Sequence, residues 1–316
     1  MERVLVTGAS GFIGTHLTRR LHALGAQLTC VDLKEPRERL SSVSYIKGDI
    51  RAIDASRVPP VDAIWNLAAI HTTPGHPDHE YYDTNVNGAL EVTRLAERLG
   101  AREIIFTSSI SVYGPSEERM TETSLPAPVS AYGKSKLMAE KIQENWQAAA
   151  SDRLLTVVRP AVVFGPGEGG NFARMAGMLK KGFFVFPGRR DTIKSCIYVD
   201  DLIDLMLAGH ASPGRRVLLN AAYPECPTIE QIVTTLQSRY FSKARLLDVP
   251  QPLVMGVAKA IAALNGLAGI HPDRVMKLLR STYVYPEWAA ERSLLPEGAF
   301  SRGVDRWARA TGGTFV

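Results

Sequence analysis

The sequence predicts an α/β fold, a doubly wound parallel sheet with a smaller C-terminal lobe. Three observations carry the prediction. Val4 to Val6 form an apolar strand, and a turn holding Gly8, Gly11 and Gly14 follows at once. Strand-like and helix-like segments then alternate through the first half of the chain. The second of those strands ends on an acidic residue, Asp32. With 316 residues, 45% of them apolar, the chain can bury the core of a large α/β unit and carry an appended lobe.

The first element sets the rest. After the strand and its glycines, Leu17, Leu21 and Leu24 recur at helical spacing. Strand, glycine turn and helix in that order make a pyrophosphate cradle, the Rossmann arrangement. Gly8 allows the tight turn. Gly11 lets a phosphate reach the backbone amides at the positive end of the helix. Gly14 lets the helix pack close to the strand. The second strand is Gln27 to Asp32. A carboxylate there accepts from both ribose hydroxyls of an adenosine and repels a 2′-phosphate, so NAD is favoured over NADP. Lys34 and Arg37 lie just behind and soften that preference. The third strand, Val43 to Ile50, places Asp49 to accept from the adenine amino group, with Ile50 against the ring. The fourth runs from Asp62 to Ala69, and its small Ala68 and Ala69 let the chain pass close to the cofactor. The loop from Ile70 to Tyr82 holds His71, His76 and His79. No cysteine or carboxylate completes a ligand set, so a substrate-side loop is expected and no metal. Thr84 to Gly88 opens a long amphipathic helix ending at Gly100, and Glu103 to Ser109 is the fifth strand.

Two stretches then carry chemistry. Ser108 to Gly114 sits at a strand's carboxyl end, where open α/β sheets bind ligands. Tyr132 and Lys136 are four apart at the start of a helix and share a face. A free tyrosine titrates near 10, too high for a base at neutral pH. A lysine ammonium and a positive nicotinamide beside it stabilise the phenolate. Lys136 also holds the nicotinamide ribose, and Ser109 orients the substrate hydroxyl.

Composition narrows the partners. The net charge of +5 is spread without long runs, which suits an anionic small molecule and gives little support for nucleic acid. Cys30, Cys196 and Cys226 have no metal or disulfide spacing, as expected in a reducing cytoplasm. With the first strand read from Arg3, no signal peptide is expected. Leu253 to Ile270 is the most apolar later stretch, but Lys259, Asn265 and several glycines interrupt it, so no integral membrane span is expected. A core helix is the favoured reading of that stretch, an apolar ligand wall the other, and docking on a membrane surface a third.

Taken together, the motifs resemble the extended short-chain dehydrogenase/reductase family, in its NAD-dependent epimerase/dehydratase branch. Thr7 to Gly14, Gly48-Asp49-Ile50, Asn66 to Ala69, Ser109 with Val112-Tyr113-Gly114, and Tyr132 with Lys136 all match. So do Arg159 to Pro166 and Ile197 to Leu202, so the likeness covers residues 1 to about 210. The resemblance implies a tightly bound NAD, a Ser109, Tyr132 and Lys136 triad, and a homodimer formed through helices near 86–99 and 132–149. It assigns Phe12, Ile13, Leu67, Asn85, Pro160 and Val162 to the cofactor, beside the glycines, Asp32, Asp49, Ile50, Ala68 and Ala69. Thr72 and Ser111 go to the substrate. The implied domains are 1–170 with 197–222 returning to it, and a substrate lobe of 171–196 and 223–316. In that lobe Asn171 would touch a diphosphate, Phe186 would lie against uracil, and Arg189, Lys194 or Arg274 would neutralise phosphate. Two positions depart from the epimerases: Lys194 stands for an arginine and Tyr198 for a histidine.

The resemblance also sorts reactions. Dehydratases of the family place an Asp-Glu pair after the serine or threonine, and decarboxylases a glutamate. Here those positions are Ile110 and Ser111, which cannot serve. A nucleotide-sugar 4-epimerase acting on a UDP-linked hexose is therefore expected. The alternatives are an NAD(P)-dependent reductase or hydroxysteroid-type dehydrogenase acting on an apolar ketone or alcohol, and a non-catalytic NAD-sensing protein. The intact triad argues against the last.

Overall fold

The computed structural model describes residues 2–73, 75–254 and 278–316. Arg274 and all of the 253–270 stretch beyond residue 254 lie outside them. Thirteen strands are described: β1 Arg3–Thr7, β2 Gln27–Asp32, β3 Ser44–Lys47, β4 Ala63–Asn66, β5 Glu103–Thr107, β6 Ser116–Met120, β7 Leu154–Pro160, β8 Val162–Phe164, β9 Phe183–Pro187, β10 Cys196–Tyr198, β11 Arg216–Ala221, β12 Arg245–Val249 and β13 Thr282–Val284. Seven of them form one parallel sheet in the order β11-β7-β5-β4-β1-β2-β3. The winding reverses beside β1, between β2 and β4, which opens a crevice at the carboxyl ends of the strands.

The helices are α1 Phe12–Ala23, α2 Asp78–Tyr82, α3 Gly88–Leu99, α4 Ala131–Ala148, α5 Asn171–Lys180, α6 Val199–His210, α7 Ile229–Tyr240, α8 Glu287–Glu291 and α9 Ala299–Ala310. Alternation along β1 explains why two layers of helix are needed. Val4 and Val6 point to one face, into a cluster with Leu17 and Leu21 of α1 and Ile203 and Met206 of α6. Leu5 points to the other, with Val92 and Leu95 of α3 and Ala139 of α4. All three β1 residues are fully buried.

Beyond the sheet, three short parallel pairs carry the later chain: β8 with β10, β9 with β12, and β6 with β13. An aromatic cluster locks this part together. Phe164 stacks on Phe172 at 4.5 Å, and Phe300 and Trp307 of α9 meet its edge and face.

The elements expected from sequence are present, with shorter strands. The third strand is trimmed to Ser44–Lys47 and the fourth to Ala63–Asn66, because Gly48 onward and Leu67 onward leave the ladder to line the crevice. The helix expected from Thr84 begins earlier, at Asp78, and passes through one wide π turn, Asp83–Asn87, before α3. Gly100 ends it in the left-handed conformation, φ 74°.

Candidate active site

The cradle follows from what the glycines touch. Gly8 turns with φ +72°, and a Cβ there would lie 2.7 Å from the Ala68 amide nitrogen. So β1 and the Leu67–Ala69 segment run against each other at the crevice. A Cβ on Gly14 would drive into the Gly8 carbonyl and the Ala9 backbone. Gly11 differs: its φ is an ordinary −70°, and only the Gly8 carbonyl oxygen, at 3.2 Å, would meet a Cβ. The exposed side of Gly11 at the start of α1 is therefore open to a ligand. Phe12 and Ile13, half-buried, form the first turn of that helix.

Asp32 ends β2 beside this turn. Its two carboxylate oxygens accept from the Ser10 and Lys34 amides at 3.0 and 2.9 Å, which fixes the group at the rim. Ala9, Ser10, Asp32, Lys34 and Ile46 line a cleft there. Asp49 is less available than its position suggests. Arg51 curls back onto both of its oxygens, at 2.6 to 3.1 Å, and also pairs with Asp83. The arginine holds the Asp49 carboxyl below the usual range. Ile50 is buried against Gly88.

Asn85 spends its amide inside the protein. It accepts from the Ile70 amide at 3.0 Å, donates to the Ile70 carbonyl at 3.1 Å, and donates to the Ser135 hydroxyl at 2.9 Å. The π turn is what aims it there; such turns recur at functional sites. Asn85 thus ties the loop after β4 to α4, the helix carrying Tyr132 and Lys136. Pro160 ends β7 and Val162 opens β8, both on the crevice side of the sheet.

The catalytic candidates converge. Ser109 caps the turn Ile110–Val112, its hydroxyl accepting from the Ser111 amide at 3.1 Å. Ser130 caps α4 by accepting from the Gly133 amide at 3.1 Å, worth about 1 kcal/mol. Gly133 then lets α4 close on the serine turn, since a Cβ there would collide with the Ser111 carbonyl. The result brings the Tyr132 hydroxyl to the side of the Ser109 hydroxyl, near enough for the serine to favour the phenolate. Tyr81 packs beside them, its ring 6.3 Å from that of Tyr132, and its hydroxyl donates to the Thr72 carbonyl at 2.5 Å.

The electrostatics differ from the sequence expectation in one respect. Burial pushes the Tyr132 phenol above its ordinary value; the Ser109 hydroxyl pulls it down and Tyr81 pushes it up. Burial also draws Lys136 down to about 7, against the pull of Glu140. Two buried groups each favour their neutral form, so the protein alone does not ionise the phenol. Lys136 is 2% exposed, with its ammonium over the Phe106 ring at 4.4 Å. It makes no hydrogen bond among the described residues. Packing around its ring and then the Lys136 charge hold His71 below its ordinary value.

The cradle open at Gly11, the fixed Asp32 carboxylate and a buried ammonium without a protein acceptor all fit a dinucleotide running from the rim of β2 to α4.

The substrate residues expected from the resemblance are scattered. Thr72 is exposed on the loop, Ser111 lies beside Ser109, and Asn171 is exposed at the start of α5. Phe186 is fully buried, and Arg190 covers its ring at 4.5 Å. Lys194 donates to the Arg280 carbonyl, and Arg189 pairs with Glu117 and Asp191. Tyr198 is buried, with Arg306 over its ring. Sequence reasoning missed Tyr81, Gly133, Ser130 and Glu140. Only the Ser-x-x-Gly spacing before Lys136 signalled a cap.

Comparison with known proteins places this arrangement. The NAD dependent epimerase/dehydratase family matches residues 4–218. An N-acetyl-α-D-glucosaminyl-diphospho-ditrans,octacis-undecaprenol 4-epimerase of Escherichia coli O157:H7 is 29% identical over 96% of this chain and 94% of its own length. A UDP-glucose 4-epimerase of Azospirillum brasilense is 29% identical over 94% of this chain and 95% of its own. Among solved structures, the UDP-glucose 4-epimerase of Thermotoga maritima with UDP-glucose superposes with a TM-score of 0.79 at 21% identity, over 99% of this chain and 100% of its own. MoeE5 in complex with UDP-glucose and NAD gives a TM-score of 0.68 at 25% identity, over 78% and 85%.

Proposed function

The chain belongs to the NAD dependent epimerase/dehydratase family, and we propose that it inverts C4 of a hexose carried on a diphosphate, UDP in the first reading. It is an NAD-dependent enzyme of that family. One observation carries the finer reading: the Ser109 and Tyr132 hydroxyls meet at the carboxyl end of the sheet, with Lys136 buried one helical turn on. No acid pair follows Ser109, since Ile110 and Ser111 occupy those positions, so elimination of water lacks its acid and base.

Tyr132 takes the proton of the C4 hydroxyl, and Ser109 holds the same oxygen in line. NAD, when bound, supplies the hydride acceptor and returns the same hydride, so no outside redox partner is consumed. The 4-keto sugar turns over between the two transfers, so the hydride would return to the opposite face of C4 while Tyr132 returns the proton to the C4 oxygen. Lys136 binds the ribose and keeps positive charge beside the phenol, which offsets the burial of its anion. Asn85 and Ser135 keep loop and helix in register while this happens.

A second reading has its own support. One relative, matched over 96% of this chain, is named for a sugar on diphospho-undecaprenol. Phe186, expected against uracil, has no exposed face. Lys194, standing for an arginine, cannot grip a phosphate bidentately. Residues 253–270 are strongly apolar, which suits a polyprenyl chain. The reductase alternative gains no such support, whereas two relatives matched over nearly the whole chain are named 4-epimerases. A homodimer through α3 and α4 and a cytoplasmic location, suggested by three buried free cysteines, complete the proposal. Among the described residues no helix is long and apolar enough to cross a membrane.

The test incubates purified protein and NAD with UDP-glucose, UDP-galactose, their N-acetyl forms, and N-acetylhexosaminyl diphosphoundecaprenol in detergent. Chromatography should show interconversion in one class. No conversion and no thermal shift with any of them overturns the reading.

A further inference from the structure

Behind Lys136 lies a buried polar chain that the proposed chemistry does not use. Glu140, one turn further along α4, is completely buried. Arg159 of β7 donates to both of its oxygens, at 2.9 and 2.6 Å, and the Ser108 hydroxyl donates to it at 2.5 Å. Arg159 also donates to the Tyr113 hydroxyl at 2.7 Å, which in turn donates to Asn220 of β11 at 2.9 Å.

We infer that Glu140 is a positioning residue, anchored by Arg159 and Ser108 so that it sustains the charge of Lys136 without capturing its ammonium. The inference rests on the reading of Tyr132 and Lys136 as the acting pair. A buried carboxylate free to move would close on the lysine as a contact ion pair. That pair would point the ammonium away from Tyr132 and cancel its field there. Here three hydrogen bonds from Arg159 and Ser108 hold the carboxylate, and the ammonium faces the Phe106 ring instead. The groups around Lys136 are few. Tyr132 and Glu140 share its helix, Arg159 reaches Glu140 from β7, and Phe106 comes from β5. His71 comes from the loop after β4, close enough to feel the lysine charge. Glu140 is the carboxylate among them, so the protonation of Lys136 depends on it.

The test reads Lys136 directly, by NMR of protein labelled at the lysine ε-carbons, with the resonance assigned by its loss in Lys136→Met. The wild-type midpoint is expected near 7, because burial disfavours the charged lysine. In Glu140→Gln it falls by about one pH unit or more, and the loss of turnover as pH rises through the Lys136 midpoint moves down with it. Glu140→Asp keeps the charge and restores most of the midpoint. Should Glu140→Gln fail to fold, Arg159→Lys carries the test: one carboxylate oxygen is released toward the ammonium, and the midpoint rises. An unmoved midpoint in the folded variant overturns the inference. Retained turnover in Tyr132→Phe would instead overturn the reading of the pair, so the two failures are distinguishable.

Discussion

Gly11 and Gly14, three residues apart, do opposite work. Gly14 is a packing requirement, because a methyl there meets backbone. Gly14→Ala should cost about 1–3 kcal/mol, read as a lower unfolding temperature with or without NAD. At Gly11, in an ordinary conformation, a Cβ would press only on the Gly8 carbonyl oxygen, at 3.2 Å. Gly11→Ala should cost the NAD-free protein less stability than Gly14→Ala yet weaken NAD binding about tenfold or more, a loss of about 1.4 kcal/mol, by calorimetry. Tyr132→Phe should retain NAD and lose about 10²–10⁴ in turnover, measured by product chromatography beside the NAD content of the purified protein. The residues legible in the sequence are those whose chemistry is local: a glycine at a turn, an aspartate at a strand end, a tyrosine and a lysine one turn apart. Asn85 and Asp49 were legible as positions but not as roles. The partners of Asn85 lie 15 and 50 residues away, and the Asp49 carboxylate is taken by Arg51. Phe186, which the resemblance sets against uracil, is closed over by Arg190 and Phe184.

Among the elements, β1, β2 and α4 stand where periodicity puts them, because strand alternation and the Ser130 cap are encoded within a few residues. The π turn before α3 was not legible; it exists to aim one amide across two elements, and hydrophobic spacing carries no trace of that. The end of α6 bears a pH dependence. The His210 ring lies 3.0 Å from Glu103 of β5 and 3.5 Å from Glu2. Those carboxylates push His210 from 6.5 up to about 10 against burial. A pKa raised on folding gives stability that is full below about 6.5 and lost as pH rises through about 10. Unfolding temperature should therefore fall between pH 7 and 10, and His210→Gln should flatten that fall. A slope equal to wild type would refute the assignment.

For the whole molecule, the parallel doubly wound sheet follows from strand–helix alternation, whereas the later region does not. Its short pairs join segments far apart in sequence, β6 with β13 and β9 with β12, and no local pattern announces them. That is why the glycine turn, Asp32 and the start of α4 stand where the sequence put them, while the pairings of the later region had no local signal. The proposed dimer belongs to this scale. Leu90 of α3 and Met138 of α4 are 37% and 48% exposed, an apolar pair on the two helices that the family resemblance assigns to the interface. Leu90→Glu with Met138→Glu should convert a dimer to a monomer in sedimentation; a wild-type monomer would end that proposal.

The account as a whole stands on a hydride that leaves C4 and comes back to it. The most direct measurement follows deuterium at C4 of the converted diphosphate sugar, by mass spectrometry of the separated epimers. Inverted product that keeps the deuterium, with no lasting change at the nicotinamide absorbance band, is the predicted result. Deuterium lost to solvent, or reduced nicotinamide accumulating with turnover, would contradict it.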